Sequence, residues 1–289
     1  MREEKITFDS DGLKLSGVIA IPQNAAPDKT HAAMMFLHGF GSTKDAGGCI
    51  ETCRMLTGLG YVTLRFDMRG CGESEGEKGR VICLEQVADT RNAVTYLSGL
   101  SFVDSGRIGC MGASFGAAVT VYATGVDERI ACAVSAGGWG DGVSKFRRQH
   151  PTPEGWARFK AMLEEGRRHR ESTGQSLMVP RYEIVPIPEH LRHNVVKGSI
   201  QSFPAETAQS MYDFRANDVV GNISPRPLLL MHPSQDSVTP TEQSIGLFQH
   251  AGQPTELHLF AETDHFLLGE KNISAQLVLR DWLSRYFPA

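Results

Sequence analysis

Residues 107–123 read Arg107-Ile108-Gly109-Cys110-Met111, then Gly112-Ala113-Ser114-Phe115-Gly116, then Ala117-Ala118-Val119-Thr120-Val121-Tyr122-Ala123. A strand-like run, a serine with glycines two residues to either side, and an apolar helix-like run together demand one sharp strand-to-helix turn. Small neighbours let the backbone fold that tightly and leave the serine Oγ exposed at the apex. The pentapeptide alone is a weak signal, because glycine and serine are common. The flanking strand and helix supply the context that it needs. A glycine-rich loop with an incidental serine is the bland alternative.

An apical serine acts as a nucleophile only with a base and an acid that orients the base. In a strand-turn-helix setting these follow later in the chain, acid before histidine. The run Leu228-Leu229-Leu230-Met231-His232-Pro233 ends in a loop that carries Asp236, and the alternating run Glu256-Leu257-His258-Leu259-Phe260 ends in a loop that carries His265. Both candidates therefore lie at the carboxyl end of an expected strand, where open α/β sheets place their ligands. Ser114, His265 and Asp236 are thus the candidate nucleophile, base and orienting acid. Asp264 is a rival acid by position. As the neighbour of His265 in sequence it would strain to reach Nδ1 of that ring, so it is read as a solvated neighbour. The buried run 32–37 leads into His38-Gly39-Phe40-Gly41, whose amides can turn inward without Cβ interference. The N–H groups of Phe40 and Phe115 are the candidate oxyanion hole. His38 is read as a packing residue of that loop.

Four stretches, in order, resemble the α/β-hydrolase-fold superfamily, close to dienelactone-hydrolase-like and prolyl-oligopeptidase-like serine esterases and peptidases. They are residues 6–17, the loop His38-Gly39-Phe40-Gly41, the stretch Phe66-Asp67-Met68-Arg69-Gly70-Cys71-Gly72-Glu73-Ser74, and the segments with the serine, acid and histidine. The resemblance spans nearly the whole chain and is specific for fold rather than for substrate. It implies an α/β class: a mainly parallel central sheet flanked by helices, with an inserted helical cap above the site.

The alternation of runs bears this out as an expectation. Strands are expected at 32–37, 61–66, 107–111 and 130–135, helices at 49–58 and 84–97, and an edge hairpin at 6–22 turning on Ser10-Asp11-Gly12. After Gly140 the rhythm breaks, and it returns near Ser224-Pro225-Arg226-Pro227. Residues 1–140 and 205–289 are therefore assigned to the core. Residues 141–204 are the cap, with a helix at 153–169, and a helix at 205–214 bridges cap and core. Asp67 and Arg69 are read as braces of their loop.

In the resembled family, caps shape the substrate pocket. The expected pocket residues are Gly39, Gly41, Trp139, Trp156, Met178 and Tyr182, beside Phe40 and Phe115. The cap holds about 11 Lys and Arg against about 7 Asp and Glu, densest at Arg167-Arg168-His169-Arg170 and at Arg147-Arg148. A solvated helix face is the bland reading; attraction of an anionic acyl substrate is the sharper one.

The composition of the 289-residue chain, 41% hydrophobic with a formal net charge of −4, suits one substantial core and argues against nucleic acid as a partner. No run approaches membrane-spanning length, and the first residues lead directly into a strand, so a cytoplasmic setting without membrane contact is expected. The six cysteines are scattered and form neither a disulfide framework nor a zinc pattern, so buried free thiols, no metal and no cofactor are expected. Cys71 is singled out for its place near the site. A cap-mediated homodimer is compatible with such a fold. The leading functional expectation is a serine hydrolase that cleaves a carboxylic ester or thioester through an acyl-enzyme. The alternatives are a peptidase, amidase or carbon–carbon bond hydrolase with the same machinery, and a non-catalytic ligand-binding protein on this fold.

Overall fold

The run 32–37 is buried along its whole length, as is the run 228–233, and a strand tolerates that only with a layer packed on each face. The computed structural model describes residues 1–23, 29–268 and 272–289 and supplies both layers. In chain order it contains β1 (Arg2–Ser10), β2 (Leu13–Ile21), β3 (His31–Leu37), α1 (Gly47–Gly58), β4 (Val62–Phe66), α2 (Cys83–Ser98), β5 (Val103–Ala113), α3 (Phe115–Val126) and β6 (Ile130–Ala136). An insertion follows, with α4 (Gly142–Gln149), α5 (Pro153–Thr173), β7 (Met178–Pro180), α6 (Arg181–Ile184) and β8 (Ser202–Pro204), and α7 (Ala205–Asp213) leads out of it. The core then closes with β9 (Leu228–Pro233), α8 (Glu242–His250), β10 (Thr255–Phe260) and α9 (Ile273–Tyr286).

The main sheet has eight strands in the order β1-β2-β4-β3-β5-β6-β9-β10. The β1/β2 and β2/β4 pairs are antiparallel, and every other pair is parallel. Alternation along β3 feeds two separate apolar cores. Ala33, Met35 and Leu37 pack with α2 and α3, whereas Ala32, Met34 and Phe36 pack with α1 and α9. This is the α/β-hydrolase fold with its inserted helical region.

The edge hairpin begins at Arg2 rather than at residue 6, and β5 starts at Val103, because exposed polar residues can join a ladder that their apolar partners anchor. The insertion holds more regular structure than its sequence suggests. In α4, the Asp141 side chain accepts from Ser144 N at 2.6 Å and caps a helix with no long apolar stripe. In α5, Thr152 caps the start, with Pro153 at the first turn, and the helix runs to Thr173 until Gly174 turns left-handed at φ 72°. The pair β7/β8 is three residues long on each side and bounded by prolines, too short to show a period of two.

Candidate active site

The backbone fixes the position of Ser114. It sits between β5 and α3 at φ 54° and ψ −113°, a conformation that costs a non-glycine residue about 1–3 kcal/mol. Its neighbours hold it there. Ser114 N donates to the Ala136 carbonyl at 2.8 Å, and both flanking glycines are packed against backbone. A Cβ on Gly112 would lie 2.3 Å from the Gly116 carbonyl oxygen, and one on Gly116 would lie 2.3 Å from that of Leu37. The spacing of small residues is therefore a consequence of how closely β5, α3 and the end of β3 approach one another.

Residues far apart in sequence meet at this apex. His265 Nε2 lies 2.8 Å from Ser114 Oγ, and His265 Nδ1 lies 2.8 Å from Asp236 Oδ2 and 3.0 Å from Oδ1. A carboxylate only accepts, so Nδ1 carries the proton and Nε2 is left to accept from the serine hydroxyl. The Asp236 side chain is fully buried, and Oδ1 accepts from Val238 N at 2.8 Å and Thr239 N at 2.7 Å. Burial alone would favour the protonated acid. The adjacent His265 and His232 outweigh it and hold this carboxyl well below the usual carboxylate range.

His232, to which the sequence assigned no role, is buried at the end of β9 with Nε2 3.3 Å from Asp236 Oδ2 and 2.9 Å from the Thr239 carbonyl. Ser244 Oγ lies 2.6 Å from its Nδ1. The available signal was its position four residues before Asp236 at the close of an apolar run. Asp264 is more than a solvated neighbour. Its carboxylate accepts from Ser237 N at 2.8 Å, Ser237 Oγ and His265 N, tying the loop after β10 to the loop after β9.

The loop of Gly39, Phe40 and Gly41 lies against the same apex, and the insertion grips it. A Cβ on Gly39 would stand 3.9 Å from Ser114 Cβ. The Gly41 carbonyl accepts from Ile200 N at 3.0 Å and from Arg181 Nη2 at 3.2 Å. The Phe40 ring stacks on Phe203 of β8 at 4.1 Å and tilts against Phe115 at 5.9 Å. Gly41 is left-handed at φ 52°, and a Cβ there would meet the Phe203 ring at 2.5 Å. Phe40, Phe115 and Phe203 are buried and form a continuous apolar contact from core to insertion. His38 packs within the loop, its Nε2 accepting from Met68 N at 3.2 Å, and burial lowers its pKa.

A cavity of about 1050 Å³ opens over Ser114 and His265. Gly39 and Phe40 line it, and the insertion contributes Arg181, Val185, Ile187, Leu191, Val195 and Ser199. The other expected pocket residues lie elsewhere. Trp139 is buried behind Phe115 and Phe214, and Gly41 faces Phe203 and Arg181. Trp156 stacks on Phe159 within the insertion, Met178 is exposed on β7, and Tyr182 lies under the Arg192 guanidinium. The wall they were expected to form comes instead from 185–199, where Pro186 and Pro188 lead into a short 3-10 helix, Glu189–Asn194, that carries Leu191.

The basic clusters of the insertion also lie apart from the cavity. Arg167 pairs with Glu164 and Glu171, Arg168 with Glu164, and Arg148 with Glu242, all on the exposed surface. Asp67 braces its loop by accepting from Lys44 Nζ at 2.8 Å and Glu73 N at 2.8 Å, and Arg69 pairs with Asp89 at 2.7 Å. Cys71 is fully buried and its thiol is pushed up to about 12, which removes the reactive thiolate. All six cysteines are free. Among the described residues no cluster of His, Cys, Asp or Glu could hold a metal ion, and no helix is long and apolar enough to cross a membrane.

An eight-stranded sheet of this order, with a strained serine at the end of β5 and a cavity above it, defines a serine-hydrolase-like member of the α/β-hydrolase superfamily. More narrowly, the chain belongs to the family described as serine aminopeptidase, S33, whose model matches residues 28–272. The superfamily resemblance therefore stands, and the family is S33 rather than a dienelactone-hydrolase or prolyl-oligopeptidase group. Among its relatives, the polyketide transferase grgF of Penicillium sp. is 27% identical over 269 residues, covering 88% of this chain and 86% of that protein. The thiohydrolase aneE of Aspergillus aculeatus is 25% identical over 281 residues, covering 90% and 85%. The crystal structure of the α/β hydrolase GrgF from Penicillium sp. superposes with a TM-score of 0.81 at 23% identity over 99% of both chains.

Proposed function

We propose that this protein is a serine acyl hydrolase that opens a carboxylic ester or thioester through an acyl-enzyme on Ser114. The supporting observation is the hydrogen-bonded series Ser114–His265–Asp236, whose serine and histidine line a cavity walled on the insertion side by Val185, Ile187, Leu191 and Val195. Ser114 Oγ attacks the carbonyl carbon while its proton passes to His265 Nε2. The N–H groups of Phe40 and Phe115 receive the negative charge that develops on the carbonyl oxygen, each contributing about 10²- to 10³-fold in rate. His265 returns the proton to the departing alkoxide or thiolate. Water then attacks the acyl-enzyme, loses its proton to Nε2, and Ser114 Oγ is reprotonated as the acid leaves. Asp236 holds the ring in the tautomer this requires and stabilises its charged form. Residues 141–204 act as the lid, and the acyl chain lies along Val185, Ile187, Leu191 and Val195.

The relatives that carry the names thiohydrolase and polyketide transferase favour thioesters, and they favour an acceptor alcohol as an alternative to water. The S33 family description supports a second reading, attack on a peptide bond. Turnover of hexanoyl N-acetylcysteamine, p-nitrophenyl hexanoate and aminoacyl anilides by the wild type and by Ser114→Ala separates these outcomes. The proposal expects thioester or ester turnover that Ser114→Ala abolishes. Anilide turnover alone would replace it with the peptidase reading, and turnover that survives in Ser114→Ala would reject both.

A further inference from the structure

Arg181 stands apart from the other cations of the insertion. It is 3% exposed, at the wall of the cavity, and its guanidinium lies 5.2 Å from the Phe40 ring centroid and 5.3 Å from that of Phe203. Nε donates to the Ile200 carbonyl at 2.7 Å and Nη2 to the Gly41 carbonyl at 3.2 Å. A guanidinium has five N–H donors in a planar fork, so these bonds occupy one part of it. Among the described residues no carboxylate pairs with it, and burial lowers its pKa to about 10. A buried cation without a counter-ion is costly unless something in the cavity supplies the charge.

A second group in the same wall is also unsatisfied. Ser199 Oγ is buried, with the residue 7% exposed, and has no hydrogen-bond partner among the described residues. Ser199 precedes Ile200, the residue whose carbonyl Arg181 holds, and both Ser199 and Arg181 line the cavity that contains Ser114. The guanidinium donors that the Ile200 and Gly41 carbonyls leave over, and the unpartnered Ser199 hydroxyl buried just behind the same wall, are of the kind that recognise a carboxylate or a phosphate oxygen.

We propose that Arg181 and Ser199 form an anion-recognition subsite, so that the substrate opened at Ser114 carries a second, negatively charged group. This rests on the acyl-hydrolase reading above and specifies its substrate class. The charge sits either at the far end of the acyl chain, as a carboxylate, or on the leaving group, as the phosphate of a pantetheine thiol. Both present the same oxygens to the same donors.

The experiment compares matched N-acetylcysteamine thioesters, hexanoyl with adipoyl and octanoyl with suberoyl, and sets hexanoyl N-acetylcysteamine against hexanoyl phosphopantetheine. In the wild type one charged class shows kcat/KM at least about tenfold above its neutral match, chiefly through a lower KM. Arg181→Met brings that ratio to one, beyond any loss common to all substrates from the released Gly41 carbonyl, and Ser199→Ala reduces it by a few fold. The class that discriminates tells a carboxyacyl substrate from a phosphorylated carrier. A ratio near one in the wild type, or a ratio that Arg181→Met leaves intact, overturns the subsite and assigns Arg181 to holding the loop alone.

Should Arg181→Met not fold, the wild type decides. Free adipate or phosphopantetheine inhibits hexanoyl turnover competitively and at least about tenfold better than hexanamide or pantetheine, or the proposal falls. Neutral thioester turnover that depends on Ser114 survives either result, so failure of the subsite is distinct from failure of the acyl-hydrolase reading.

Discussion

The floor and the roof of the cavity are built in different ways. The floor is held by main chain: Ser114 is trapped between carbonyls that allow no Cβ at Gly112 or Gly116, and Asp236 is fixed by the amides of Val238 and Thr239. The roof is held chiefly by side chains of the insertion, with Phe203 stacked on Phe40 and Arg181 bonded to two carbonyls, beside one main-chain bond from Ile200 N to the Gly41 carbonyl. A main-chain frame fixes the reacting atoms within narrow limits. A side-chain roof is easier to rebuild by substitution, although Arg181 and Phe203 also hold the Gly39–Gly41 loop beside Ser114, so changes at these two positions reach the floor as well.

Removing the hydroxyl at the floor is the severest test. Ser114→Ala should lower kcat on a thioester by about 10⁶-fold, measured by steady-state kinetics, with little change in thermal midpoint. Asp236→Asn should cost about 10⁴-fold, since an amide no longer enforces the tautomer that leaves Nε2 free. Gly116→Ala probes the frame itself. The added Cβ meets the Leu37 carbonyl, and a loss of about 3 kcal/mol in urea unfolding is expected, together with loss of activity. A tolerated alanine there would mean that the floor is as adaptable as the roof.

The division between floor and roof also decided what could be read from the chain. The continuous apolar run of β3, the glycines around Ser114 and the loops that carry Asp236 and His265 are legible because parallel strands, tight turns and strand ends each demand particular residue types. The roof has no such code. Val185 and Ile187 flank Pro186, Leu191 sits on the short 3-10 helix Glu189–Asn194, and nothing in their order says which side faces the cavity. Trp139 is apolar and could line a pocket near Ser114 or belong to the core, and its sequence position does not sort the two. Its ring packs against Phe115 and Phe214, a matter of tertiary packing. The dense run Arg167-Arg168 is the solvated, glutamate-paired face that its charge suggests, while the isolated Arg181, which no pattern marks out, reaches the cavity.

Smaller effects sharpen the same contrast. Asp236 has a lower pKa folded than unfolded, so its ionisation contributes stability fully above about pH 4. That contribution fades as pH falls through the lowered folded value. The stability gap between wild type and Asp236→Asn, from denaturant curves, should therefore narrow only below about pH 4. Narrowing at neutral pH would show that the carboxylate is not the stabilised form. On the roof's outer face, Arg167→Ala with Arg168→Ala removes only exposed pairs at helical spacing. It should leave the denaturant midpoint essentially unchanged and kcat/KM unaltered across a salt series.

The central claim, that Ser114 is acylated through His265, is tested most directly by intact-protein mass spectrometry after rapid acid quench of a thioester reaction, followed by peptide mapping. The account predicts one acyl adduct, located on Ser114, that is absent in Ser114→Ala and fails to build up in His265→Ala. An adduct on another residue, or thioester turnover by Ser114→Ala at the wild-type rate, would contradict it.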